Sequence, residues 1–210
     1  MEFEKISPAQ IETRSFAIIE SEMKHPDIPE PEKSVLMRVI HTTADFDYEE
    51  NLVFTPGAAS RAIELLRQGT DIVTDTNMAR AGIHKASLAK LGASVHCFMG
   101  DADVAAAAKA RGCTRSAVCM EKAAALGKPL IFAIGNAPTA LIRLSELMQE
   151  GRLKPALVIG VPVGFVNAAQ SKELILQSGA DCIVARGRKG GSNVAAAICN
   201  ALIYKATGER

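Results

Sequence analysis

From residue 71 onward the sequence repeats one pattern: a short continuous apolar run, a small polar loop, then a stretch with helical spacing. Asp71 to Thr74, Ser94 to Phe98, Pro129 to Ile134, Ala156 to Val161 and Cys182 to Ala185 read as strands. Helices are expected over Ile83 to Leu91, Asp101 to Arg111, Thr114 to Leu126, Pro138 to Gln149, Ala168 to Gln177 and Ser192 to Thr207. Strands that alternate with helices are joined by crossovers, so they lie parallel. Their runs are uniformly apolar rather than alternating, as expected when helices cover both faces of the sheet. We therefore expect an α/β fold: three layers, α/β/α, around a mainly parallel sheet, flavodoxin-like or with the related Rossmann-like winding. At 210 residues the chain suits one well-buried domain over residues 1–210 and is short for two with a linker.

Upstream of the repeat, Ser7-Pro8 opens an amphipathic pattern to Lys24, with serine placed to cap and proline in the first turn. A proline-rich connection, His25 to Pro31, follows. Val35, Leu36, Val39 and Ile40 then recur at helical spacing from about Pro31 to Ala44, which turns Leu36 and Ile40 to the core and sets Arg38 and His41 on one face. Leu52 to Phe54 reads as a short strand, and Thr55-Pro56-Gly57 restarts a helix to about Gln68.

This arrangement puts four loops at the carboxyl ends of parallel strands, the edge where open α/β sheets bind ligands. They are Asp75 to Met78, Gly135 to Pro138, Val161 to Asn167 and Arg186 to Asn193. The last, with Gly187-Arg188-Lys189-Gly190-Gly191-Ser192 ahead of a helical stripe, outlines an anion site. It has neither P-loop nor dinucleotide-binding spacing, and an ordinary strand-to-helix turn with solvated charges is an equal alternative. Asn136 is placed to cap the helix after Pro138, and Asp75, Thr76 and Asn77 to cap and turn. Arg14, Ser15 and Arg115 lie on helices, where arginines are commonly only solvated.

Composition narrows the chemistry. Lys plus Arg is 24 against 23 for Asp plus Glu, so nucleic acid and anionic membrane are not expected partners. The apolar runs fall short of the roughly 20 residues that cross a bilayer, and Met1 to Lys5 is acidic without a signal-like core, which points to the cytoplasm. Five cysteines without a Cys-x-x-Cys pair and four scattered histidines argue against a disulfide framework and a protein-ligated metal. What remains is His41, able to exchange a proton near neutrality, beside the cation Arg38. Asp45, Asp47 and Tyr48 follow closely, either tuning His41 or supporting the loop.

Five segments, Val39 to Tyr48, Thr74 to Met78, Ala133 to Leu141, Gly160 to Ala169 and Gly187 to Ala197, resemble in order the precorrin-8X methylmutase family, including its cobalt-precorrin-8 members. The resemblance runs from the first helix to the last. It implies an isomerase of cobalamin biosynthesis that moves a methyl group from C11 to C12 of the corrin ring, giving hydrogenobyrinate or cobyrinate. It also implies a flavodoxin-like homodimer that acts on a corrinoid tetrapyrrole without an organic cofactor. The family's proton donor and acceptor falls on His41, its substrate-contacting arginine on Arg38, and the serine of its first-helix Arg-Ser-Phe segment on Ser15. With the rim, the candidate substrate-binding residues are Ser15, Arg38, Thr42, Thr43, Asn77, Arg115, Asn136, Arg188 and Lys189, with no metal ligand. Two alternatives use the same scaffold: a non-catalytic corrinoid-binding carrier, and a phosphate- or nucleotide-using enzyme.

Overall fold

The structure, a computed structural model, describes residues 7–209; the acidic stretch Met1 to Lys5 lies outside them. Six strands form one sheet: β1 (Leu52–Phe54), β2 (Asp71–Thr74), β3 (Val95–His96), β4 (Leu130–Ile134), β5 (Leu157–Gly160) and β6 (Cys182–Ala185). Their order is β1-β6-β5-β4-β2-β3. Every neighbouring pair is parallel except β1 with β6, where Leu52 faces Ala185 and Phe54 faces Ile183. Counted along the chain, the five parallel strands run 2-1-3-4-5, the flavodoxin order.

Alternate residues of each strand feed opposite cores. In β4, Ile131 and Ala133 join a cluster with α1 (Pro8–Glu22), α2 (Glu32–Thr43), α4 (Ala58–Arg67), α5 (Asn77–Gly82), α6 (Lys85–Lys90) and α11 (Ser192–Thr207). Leu130, Phe132 and Ile134 instead meet α7 (Ala102–Arg111), α8 (Arg115–Ala124), α9 (Pro138–Gln149) and α10 (Ala168–Gln177). This is the expected three-layer arrangement, and all five β4 side chains are buried. The central helix is α11, in which alanines at 195, 196, 197 and 201 admit close approach; it packs against α2, α4 and α5.

Several local expectations change. Asn77 and Met78 belong to α5 rather than to a loop, and Thr76 caps that helix by accepting the Ala79 N–H at 3.0 Å. The helix expected from Ile83 starts instead at Lys85, because His84 takes extended backbone and caps it. Ser7 is at the N-cap of α1, but its hydroxyl bonds Gln10 Oε1 rather than the backbone. A short helix, α3 (Tyr48–Asn51), occupies what reads as loop. Asn136 does not cap α9: Ala137 holds that position, and Asn136 is exposed.

Candidate active site

The end of α2 fixes His41. Leu36 and Ile40 are buried as expected, at 2% and 1% exposure, so the opposite side of the helix turns outward. Ala44 closes the helix in the left-handed region (φ 52°) and returns its N–H to Ile40 O, placing His41 in the last turn. A non-glycine residue there is strained by about 1 kcal/mol.

His41 is exposed at its edge and backed by an aromatic ring. Phe16 of α1 stacks on the imidazole with centroids 5.2 Å apart and planes 14° from parallel. The Arg38 guanidinium lies over the same Phe16 ring at 4.7 Å and 5.4 Å from the Tyr204 ring. Arg38 also pairs with Glu12 on α1. Arg38 and His41 thus share a face, and Phe16 ties both to α1. Ser15, beside Phe16, gives its hydroxyl proton to Ile11 O at 2.9 Å. Thr43 makes the same kind of backbone bond, to Val39 O at 2.8 Å, while Thr42 is exposed. Next to this assembly a groove of about 690 Å³ opens between α1, α2 and α11, lined by Glu12, Phe16, Arg38 and Tyr204 among others. A hollow of about 800 Å³ lined by Arg61, Arg152 and Asp181 lies at the other end of the sheet, away from every candidate residue.

The acidic residues after His41 have a different partner from the one their sequence proximity suggests. Asp45 and Asp47 each accept a hydrogen bond from Lys189 Nζ at 2.6 Å. The Lys189 ammonium holds the Asp45 carboxyl below the usual carboxylate range, and burial pushes the Tyr48 phenol up. These groups therefore join the α2 end to the loop after β6. Lys189 is a neutralised cation, and Arg186 is paired with Glu173.

The rest of the rim is built around the sheet's topological switch point, between β2 and β4. Asp75 is 1% exposed and reaches across to accept the N–H groups of Gly135 (2.9 Å), Asn136 (2.9 Å) and Ala137 (2.6 Å). Burial raises its pKa, against the lowering effect of the three donors. Gly135 is required because a Cβ there would sit 2.7 Å from the Cα of Ser192. The Ser192 hydroxyl in turn meets that of Thr76 at 2.8 Å. Asn77 and Asn136 stand exposed on either side of this crevice. Arg115 opens α8, whose cap Thr114 bonds Thr139 on α9 at 3.0 Å, so it belongs to the same rim.

Two groups carry structure that a linear reading passes over. Asp75 looks like a turn residue because its partners are about 60 positions away. Lys172 looks like an ordinary surface lysine, yet it is fully buried and donates to Gly187 O at 2.8 Å and Lys189 O at 2.7 Å. Its signal is position: Ala168, Lys172 and Ile175 share the buried stripe of α10. Among the described residues no group of three or more His, Cys, Asp or Glu side chains is arranged to hold a metal ion.

Fold and rim together define a flavodoxin-like α/β protein with an exposed, ring-backed histidine and a loop-borne set of cations. Residues 10–205 match the family described as CbiC: Precorrin-8X methylmutase. A cobalt-precorrin-8 methylmutase of Salmonella typhimurium is 45% identical over 203 residues, covering 94% of this chain and 95% of the relative. One from Priestia megaterium is 41% identical over 197 residues, with 94% and 88% covered. The crystal structure of a precorrin-8x methyl mutase from Thermus thermophilus superposes with a TM-score of 0.89 at 35% identity, over 96% of this chain and 98% of that one. This chain belongs to the precorrin-8X methylmutase family.

Proposed function

We propose that this protein moves a methyl group from C11 to C12 of precorrin-8X or cobalt-precorrin-8, with His41 as proton donor and acceptor. The observation that carries the assignment of His41 is its setting: an imidazole stacked on Phe16, one helical turn from Arg38, exposed at the edge of the assembly. A shift between adjacent ring carbons transfers neither hydride nor phosphate. It needs a protonation that alters the conjugation of the macrocycle, and one positioned histidine supplies about 10²- to 10⁴-fold.

The substrate carries many acetate and propionate side chains. Arg38 binds one of these carboxylates through charge-assisted hydrogen bonds and fixes the ring against His41. Ser15, Thr42 and Thr43 border that position; Asn77, Arg115, Asn136 and Arg188 supply amide and cationic contacts along the rim, and Lys189, paired with Asp45 and Asp47, holds the loop in place beside them. The chain acts as one domain and as a homodimer. Exposed Ile11 and Ile18 on α1 support an apolar partner surface. All five cysteines are free, which suits a reducing compartment such as the cytoplasm.

The test is incubation with metal-free and cobalt-containing substrate, followed by the absorbance change that altered conjugation produces. His41→Ala should retain tetrapyrrole binding and lose rearrangement by about 10²-fold or more. Turnover near the native rate would remove His41 as the acid/base group. Binding without turnover in the native protein would favour a carrier.

A further inference from the structure

The loop after β6 holds Arg186, Arg188 and Lys189, and their surroundings differ sharply. Lys189 is neutralised by Asp45 and Asp47, and Arg186 is paired with Glu173. Arg188 has an aromatic neighbour instead: its guanidinium lies over the Phe165 ring at 5.3 Å, with both side chains open to solvent.

The backbone beneath Arg188 is held at three successive carbonyls. Lys172 Nζ donates to Gly187 O (2.8 Å) and to Lys189 O (2.7 Å), the residues on either side. The carbonyl of Arg188 itself accepts the Gly164 N–H at 3.1 Å. The two loops are drawn together again where Gly191 N–H donates to Val161 O at 2.9 Å, so close that a Cβ on Gly190 would fall 2.1 Å from that oxygen. Lys172 is fully buried. Burying an ammonium is costly, and here two loop carbonyls receive it, each through a charge-assisted bond stronger than a neutral one. With the carbonyls drawn inward, the Arg188 side chain is directed out over Phe165.

We infer that Arg188 is the anion-binding cation of this loop and that Lys172 and Phe165 are positioning residues that present it, Lys172 from below through the backbone and Phe165 from beside through its ring. The inference rests on the methylmutase reading for the nature of the anion, a carboxylate of the corrin periphery. The cations of the loop after β6 are thereby separated into one that meets substrate, Arg188, and two that hold the fold, Arg186 and Lys189. Removing such a substrate interaction weakens ground and transition states alike, so it raises KM and leaves kcat in place.

The test uses the full-length protein and both substrates. Arg188→Ala should raise KM about tenfold, the effect of deleting one charged hydrogen bond. Phe165→Ala, at an exposed position where folding is not at stake, should raise KM roughly two- to fivefold. Lys172→Met, which keeps the side-chain volume, should raise it about tenfold. In double variants with Arg188→Ala, neither the Lys172 nor the Phe165 change should raise KM measurably beyond the Arg188→Ala value, the mark of residues that act through Arg188. Wild-type KM in Phe165→Ala, or effects that multiply in the double variants, would overturn the inference; the Phe165 pair decides it even if Lys172→Met fails to fold. Should the native protein convert neither substrate, the methylmutase reading fails, and the same variants are compared by Kd for cobyrinate, read from the ligand's absorbance. Equal Kd values across them, or no binding by the native protein, would then overturn this inference as well.

Discussion

At the scale of single residues, the informative groups are those whose chemistry conflicts with their place. Lys172 is a buried ammonium, and desolvation lowers its pKa from the ordinary 10.5 to about 8. Between those values the unfolded chain binds more protons than the folded one, so stability rises with pH across that window. Below about pH 8 the cost of burying the charge is fully present. The native protein should therefore gain stability relative to Lys172→Met as pH is raised from about 8 to 10.5, measured by urea unfolding at each pH. Parallel stability curves for the two proteins would contradict the depressed value. The place of Lys172 on the stripe is only a weak signal of this role, since an alanine, a lysine and an isoleucine on one stripe suit a half-exposed helix equally well. The environment comes from a loop some fifteen residues downstream. His41 was far more legible, because proton exchange near neutrality is a property of the side chain itself. Its backing by Phe16 depends on how α1 meets α2, which the local pattern does not specify.

Among the elements, the strands and long helices after residue 70 follow from local periodicity because both sheet faces are covered and each strand is uniformly apolar. Shorter pieces escape for physical reasons. The four-residue α3 is too short to show a period. The direction of β1 depends on β6, more than 120 residues away. The junction of two loops by Asp75 is also a tertiary effect: the carboxylate satisfies three successive N–H groups, of which that of Gly135 is fully buried. Replacing Asp75 with Asn substitutes an amide NH₂ for one acceptor oxygen and sets it against a backbone donor. Asp75→Asn should cost about 1–3 kcal/mol, read from chemical denaturation, and raise KM more than it lowers kcat if Asn136 contacts substrate. A variant as stable as the native protein would mean that the turn holds its shape without the carboxylate.

Over the whole molecule, α11 connects the parts that matter. Its first residue meets the switch point through Ser192 and Thr76, and its flank packs on α2, which carries Arg38 and His41. Ile198 is fully buried in the cluster it shares with α2. Ile198→Ala should lower stability by about 2–5 kcal/mol, followed as the shift in thermal midpoint, with the binding of the substrate's carboxylates unchanged. A loss below about 1 kcal/mol would show that the neighbouring alanines close the cavity.

The tie between Lys189 and the two aspartates also bears on synthesis. The partners are separated by 144 residues for Asp45 and 142 for Asp47, and β1 waits for β6 in the same way. Contacts this distant along the chain form slowly and leave unsatisfied surfaces open in the interval. The segment bearing His41 leaves the ribosome well before the β6 loop, and it cannot be fastened to the rim until that loop has also emerged. A nascent chain halted before that loop would present the histidine without the rim on which the proposed reaction depends.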